Sequence, residues 1–248
     1  MLENIVAKYK KQINGLVHVG AGIGQEIHIY KDNNLKNLHF FEPQKQAFEE
    51  LNKYKNQNIK IYDFGLGNQD MEIELYVTSN NYGAASSILK PTQQKKYFPE
   101  IKFDTKEKIR IKKFSQLEIF NTNFLVMDVQ GFELEVMKGC EDKLNNFDFI
   151  FTEVSRKEFY ENDVLISEID NYLSKYNFVR TNVFWISNKP QGDALYVKKD
   201  KLNKFQIILS IFNSKLQTSN FYIFLSFIRN RKKMVYTLKS IVKNYLNR

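Results

Sequence analysis

The sequence predicts an α/β protein: a mostly parallel sheet with helices on both faces, closed by an antiparallel strand and followed by a basic helical extension. Three observations predict it. Apolar, β-branched runs alternate with segments of helical spacing along residues 1–198. Two of those runs, FLVMD at 124–128 and FDFIFTE at 147–153, are continuous rather than alternating, as in strands covered on both faces. A glycine-punctuated turn follows the first run directly, the usual junction of strand and ligand-facing helix.

Taken in order, residues 3–12 have amphipathic helical spacing. LVHV at 16–19 is a short strand ended by Gly20, and Gln25–Lys31 reads as a helix. NLHFFE at 37–42 is a second strand. Pro43 cannot extend it but suits a helix start, and 44–54 carries Ala47, Phe48 and Leu51 on one face. Residues 59–64 form a third strand, closed by Gly65 and Gly67, and 72–78 alternate as a further one. A small-residue loop, SNNYGAASS, follows. Residues 90–108 read as charged and irregular, 109–112 as a short strand and 115–120 as a helical turn. The strand 124–128 leads through Gly131 into a helix reaching Lys138. After the strand 147–153, residues 165–175 have helical spacing. Residues 178–186 and 194–198 are strands joined by SNKPQG, expected to add an antiparallel edge. The expected division is a body, 1–198, and an extension, 199–248.

Composition narrows the class. The chain has 248 residues, 43% hydrophobic and 26% charged, enough for a core without disulfides or structural metal. A lone cysteine, Cys140, excludes an internal disulfide and a cysteine-rich zinc site, and fits a reducing, cytoplasmic compartment. MLENIVAKYKKQ has no long apolar stretch after its charges, so no secretory signal is expected. The net charge of +9 is uneven: 199–248 hold eleven Lys/Arg and one acid, whereas 1–198 hold 26 basic and 27 acidic residues. A neutral body is not expected to bind nucleic acid.

The turn after the first strand reads G-A-G-I-G, with Gly20, Gly22 and Gly24. Glycines let backbone approach a ligand closely. Glu42, at the end of the next strand, is spaced to accept hydrogen bonds from ribose hydroxyls. A dinucleotide turn would want glycine where Gln25 stands, which disfavours a nicotinamide dehydrogenase. The G-x-G-x-G spacing is the turn of S-adenosylmethionine enzymes.

The succession HVGAGIGQE, FFEP, DFGLGNQD, SS-I-L, MDVQGFELEVMKG and FIFTEVS, over about residues 16–198, resembles the FkbM family of S-adenosylmethionine-dependent methyltransferases. The resemblance implies a class I (Rossmann-like) methyltransferase fold, with seven strands and the last antiparallel. It also implies O-methylation of hydroxyls, often on sugars or other natural products, and a place in surface or capsular polysaccharide biosynthesis. Gly20, Ala21 and Gly24 match the cofactor turn, Glu42 the ribose acid, and Asp128, Gly131 and Glu133 the family's D-V-E-G-x-E. Three positions depart: His18 stands where Asp is common, Gly22 where Asn is common, and Gln130 replaces the Glu of D-V-E-G, removing a charge beside Asp128.

Methyl transfer needs alignment of donor and acceptor, and a hydroxyl acceptor needs its proton taken. Asp128 and Glu153 end neighbouring strands and are the candidates for general base, for ligand of a divalent Mg or Mn ion, or both. The plainer alternatives are a helix N-cap at Asp128 and an ordinary strand-end acid at Glu153. Gln130 could bind the acceptor or complete the shell of such a metal ion. Glu133 reads as a first-turn acid favoured by the helix dipole. Asp63 and Phe64 are placed to meet the adenine, with loop polarity and core packing as alternatives. Ser86 and Ser87 could line the acceptor site or simply start a strand. His18 reads as a satisfied core histidine.

In the extension, the apolar runs 205–212 and 221–228 are each too short to span a bilayer. Residues 229–248 interleave seven Lys/Arg with apolar positions as a basic amphipathic helix would. Such a segment would contact an anionic membrane, or pack on the body or on a second subunit of a homo-oligomer. A non-catalytic cofactor-binding module with a membrane-docking tail is the competing reading of the whole chain.

Overall fold

The computed structural model describes all residues except 79–82, 84, 188 and 219–248. Its helices and strands run, in order, α1 (Leu2–Tyr9), β1 (Leu16–Val19), α2 (Ile27–Asp32), β2 (Leu38–Phe41), α3 (Lys45–Leu51), β3 (Ile59–Tyr62), β4 (Gly65–Leu66), β5 (Met71–Thr78), α4 (Gln94–Tyr97), β6 (Phe103–Lys112), β7 (Phe124–Met127), α5 (Glu133–Cys140), β8 (Phe149–Ser155), α6 (Ile166–Ser174), β9 (Phe178–Trp185), β10 (Gln191–Lys198) and α7 (Lys204–Thr218).

Seven strands form one sheet in the order β3-β2-β1-β7-β8-β10-β9. All pairings are parallel except those of β10, which is antiparallel to both β8 and β9. The closing hairpin therefore does not simply add an antiparallel edge. Its last strand inserts between β8 and β9, and β9 becomes the edge.

Strand alternation divides the core in two. Val17, Val19, Leu125 and Met127 face a cluster with Val136, Met137 and Cys140 of α5 and Ile166, Ile169 and Leu173 of α6. Leu16, Phe124 and Val126 face the opposite cluster, with Leu2, Ile5, Val6 and Tyr9 of α1 and Ile27 and Tyr30 of α2. Both faces are thus apolar, which is why β7 reads as an unbroken run. Helix α5 is seated tightly: a Cβ on Gly139 would lie 1.8 Å from the Gly67 carbonyl oxygen, so only glycine fits.

A second sheet, order β4-β6-β5, stands over the strand ends. Its long member β6 was expected only over 109–112, with 90–108 irregular. The missed part, FDTKEK, pairs with β5 while exposing mostly charge, and Lys106 bridges to Glu74 at 2.8 Å. Its apolar contacts begin at Ile109 and Ile111, which pack with Leu75.

At the other edge, α7 lies against β9. Arg180, 3% exposed, forms a two-pronged pair with Asp170 at 3.0 Å and 3.0 Å, and donates to the Ser214 carbonyl at 3.2 Å. Tyr196 donates to the same Asp170 at 2.8 Å. The rest of the extension, including the run 221–228 and the basic segment 229–248, lies outside the described residues. Among the described residues no helix is long and apolar enough to cross a membrane.

Candidate active site

The carboxyl ends of β1, β2 and β7 open into a cleft of about 910 Å³, counting its open mouth. The glycine turn forms one wall. The N–H groups of Gly20 and Ala21 both donate to the Phe41 carbonyl (3.0 and 3.2 Å), and Asp128 N–H donates to the Val19 carbonyl (3.0 Å), so the turn is tied to both neighbouring strands. Gly20 has φ +73°, and a Cβ there would lie 1.9 Å from the Asp128 carbonyl oxygen. At Gly22, φ +53°, a Cβ would meet nothing within 4 Å, because that side faces the cleft. Helix α2 begins at Ile27, later than expected, so Gln25 and Glu26 belong to the turn and line the cleft.

Glu42 follows β2 and is 7% exposed. Its two carboxylate oxygens accept the Gly22 N–H at 2.7 Å and the Gln44 N–H at 2.9 Å. Burial pushes this carboxyl up to about 7, outweighing those two bonds. Each oxygen keeps a lone pair for a ligand hydroxyl. Residues Leu75, Ile109 and Ile111 of the second sheet close the cleft opposite the turn.

Asp128, just beyond β7, is exposed to the cleft, and the protein around it takes away enough hydration to raise its carboxyl above the ordinary range. It is not a helix cap: the residue preceding α5 is Phe132. Gln130 Nε2 donates to Asp128 Oδ1 at 2.7 Å and to Glu153 Oε2 at 3.1 Å. Glu153 does not line the main cleft. It borders a smaller recess behind Gln130, with Glu133, Tyr160, Asp163 and Gln191. Burial, then the Asp128, Glu133 and Asp193 carboxylates, push Glu153 well above the usual range. Asp193 lies directly opposite Glu153 in the β8–β10 register, and burial raises it to about 7. Glu133 does stand in the first turn of α5, as expected, and accepts from the N–H groups of Val129 (3.2 Å) and Gly131 (3.3 Å).

This arrangement does not fit Mg or Mn. An amide N–H₂ group, a donor, occupies the point between Asp128 and Glu153 where a cation would sit. Among the described residues no three His, Cys, Asp or Glu side chains are grouped to hold a metal ion.

Other expected site residues are placed differently. Asp63 is exposed and paired with Arg110 at 2.6 Å, and Phe64 is buried against Phe41; the cleft is lined instead by their neighbours Gly65 and Leu66. Beyond β3 the chain turns these two side chains away from the ligand side. Ser86 lines the cleft, where its Oγ accepts the Thr78 N–H at 3.1 Å. Ser87 is fully buried, donating to the Gln130 carbonyl at 2.7 Å and accepting the Leu89 N–H at 3.0 Å, so its hydroxyl is committed to backbone. His18 is a core histidine: it meets Tyr30 Oη at 3.2 Å, and burial lowers it to about 3, keeping it neutral. Asp193, Tyr160 and Glu26 were not anticipated. Asp193 reaches Glu153 only through an antiparallel register that no local pattern reports.

Comparison with known proteins agrees with this fold. The chain matches the Methyltransferase FkbM domain over residues 18–180. It is 21% identical over 187 residues, 71% of this chain and 77% of the relative, to the 2-O-methyltransferase NoeI of Sinorhizobium fredii (strain NBRC 101917 / NGR234). Its fold is similar to that of methyltransferase FkbM from Methylobacillus flagellatus KT, with TM-score 0.51 and 14% identity, covering 75% of this chain and 43% of that one. The chain thus spans less than half the length of that protein. With two thirds of its length matched and the strand order of a class I enzyme, the chain belongs to the FkbM family of S-adenosylmethionine-dependent methyltransferases.

Proposed function

We propose that this protein transfers a methyl group from S-adenosylmethionine to a hydroxyl of a carbohydrate, in the assembly of a surface or capsular polysaccharide. One observation carries the reading: the Asp128 carboxylate opens into the same cleft as the glycine turn and Glu42, on adjacent strand ends. The relative that is a 2-O-methyltransferase supports a hydroxyl acceptor.

Bound S-adenosylmethionine supplies a methyl group already activated on a sulfonium. The chain must hold donor and acceptor in line and manage one proton. The turn at 20–24 offers backbone without side chains in the way, and Glu42 accepts from the ribose hydroxyls. Asp128 takes the acceptor's hydroxyl proton as the new carbon–oxygen bond forms and the carbon–sulfur bond breaks. Its raised carboxyl makes it a better base than an ordinary aspartate, and Gln130 keeps it from pairing with a proton too early. Ser86 and the second sheet face the acceptor side.

The basic tail would hold the enzyme at the inner membrane face, where lipid-linked glycans are assembled. The test of the reaction is calorimetry of the purified full chain with S-adenosylhomocysteine, followed by release of S-adenosylhomocysteine from S-adenosylmethionine with a panel of sugar and non-sugar acceptors. Binding together with sugar-dependent turnover is expected. Turnover only with non-sugar hydroxyls would overturn the acceptor class, and binding without turnover would favour a non-catalytic module.

A further inference from the structure

Gln130 is fixed at its backbone and at its side chain by residues distant in sequence. Ser87, in the loop after β5, donates to the Gln130 carbonyl at 2.7 Å. This anchors a backbone held at φ +53°, a left-handed conformation a glutamine adopts only when its surroundings enforce it. Tyr160, 1% exposed in the segment after β8, donates its hydroxyl hydrogen to Gln130 Oε1 at 2.8 Å. With Oε1 so engaged, Nε2 faces the two carboxylates, which can accept but not donate when ionised.

The supporting segments also hold one another. Thr92 and Gln93 N–H groups donate to the Phe159 carbonyl, both at 3.1 Å, and Glu161 N–H donates to the Lys90 carbonyl at 2.9 Å. The loop bearing Tyr160 and the loop following Ser87 thus form one brace across the strand ends.

We propose that Tyr160 is a positioning residue for methyl transfer: through the Gln130 amide it fixes the orientation of the Asp128 carboxylate towards the acceptor. Tyr160 does not line the donor cleft, and its effect passes through Gln130. Without the hydroxyl, the buried Oε1 loses its donor, and the amide is held through Nε2 alone, so its orientation is no longer fixed from both ends. A rotated amide turns oxygen towards Asp128 and repels it. This inference rests on the methyltransferase reading above.

The experiment compares Tyr160→Phe, Gln130→Met and the double variant. In Tyr160→Phe, kcat is expected to fall about tenfold, the loss of one hydrogen bond to a charged network. KM for S-adenosylmethionine and the affinity for S-adenosylhomocysteine should stay within about twofold, because the turn and Glu42 are untouched. The double variant should be no worse than Gln130→Met, since both act through one amide. Multiplying losses would overturn the proposal.

A second readout needs no turnover. The Gln130 side-chain ¹⁵N–¹H₂ pair, assigned by its absence in Gln130→Met, should exchange slowly with water in the wild type and faster in Tyr160→Phe. Fast exchange in the wild type overturns the proposal even if Tyr160→Phe fails to fold, and an unmoved pair in a folded Tyr160→Phe does so too. Failure of the wild type to bind S-adenosylhomocysteine would instead overturn the underlying methyltransferase reading.

Discussion

Gly20 lies against the backbone carbonyl of Asp128, so that a Cβ at position 20 would sit 1.9 Å from that oxygen. The close approach brings the glycine turn and the Asp128 strand end into one wall of the cleft, and it separates the roles of two glycines. Gly20→Ala combines a backbone collision with a left-handed φ and should cost about 3 kcal/mol or more of stability. Gly22→Ala meets no protein atom and should cost only about 1–2 kcal/mol, the penalty of its φ. Its new methyl group would enter the cleft, so affinity for S-adenosylhomocysteine should drop. Denaturant midpoints and calorimetry on the two variants check this; equal stability losses would contradict it.

Asp128→Asn keeps the shape of the side chain and removes the proposed base. Turnover should fall by about 10²–10⁴-fold, the usual worth of a positioned proton acceptor. Affinity for S-adenosylhomocysteine should change little, because the role proposed for Asp128 is to take the acceptor's proton. Steady-state kinetics beside calorimetry would show the split, and a variant with wild-type turnover would remove Asp128 from the mechanism.

Glu42 links stability to pH. Its carboxyl rises from 4.5 unfolded to about 7 folded, so the native state binds a proton that the unfolded state has released. Stability is therefore highest below pH 4.5, as far as this group is concerned, and declines as pH rises towards 7, by at most about 3 kcal/mol. Asp193, raised from 3.8 to about 7, acts in the same direction. Glu42→Gln should flatten the fall in melting temperature between pH 5 and 8 in the ligand-free protein. The same change should weaken S-adenosylhomocysteine about tenfold, through a poorer acceptor for ribose. Parallel melting curves for variant and wild type across that range would argue against a buried, raised Glu42.

The extension is expected to bind anionic vesicles. Replacing Arg229, Arg231, Lys232 and Lys233 with glutamine in the full chain removes four positive charges, each worth about 1 kcal/mol near such a surface. Co-sedimentation with phosphatidylserine-containing vesicles should fall by at least about a hundredfold, while neutral vesicles should show little change. Equal binding of both proteins would end the membrane role.

The sequence alone determined the strand–helix alternation, because continuous apolar runs such as FLVM can be satisfied only by a strand with core on both sides. It also located Gly20, Gly22, Glu42 and Asp128 on the cleft, since each lies at or just beyond a strand end, where the chain direction settles which way it faces. It could not find the strand at 103–108, whose charged face satisfies no periodic template, nor the insertion of β10 between β8 and β9. Asp193 and Tyr160 were likewise invisible, because they reach Glu153 and Gln130 only once antiparallel register and two distant loops are assembled. Asp63, Phe64 and Ser87 mark the same boundary from the other side. A strand end can be read from local residue types, but the direction of a side chain in the loop beyond it is set by what tertiary packing offers it: Arg110 to Asp63, Phe41 to Phe64, and the Gln130 carbonyl to Ser87.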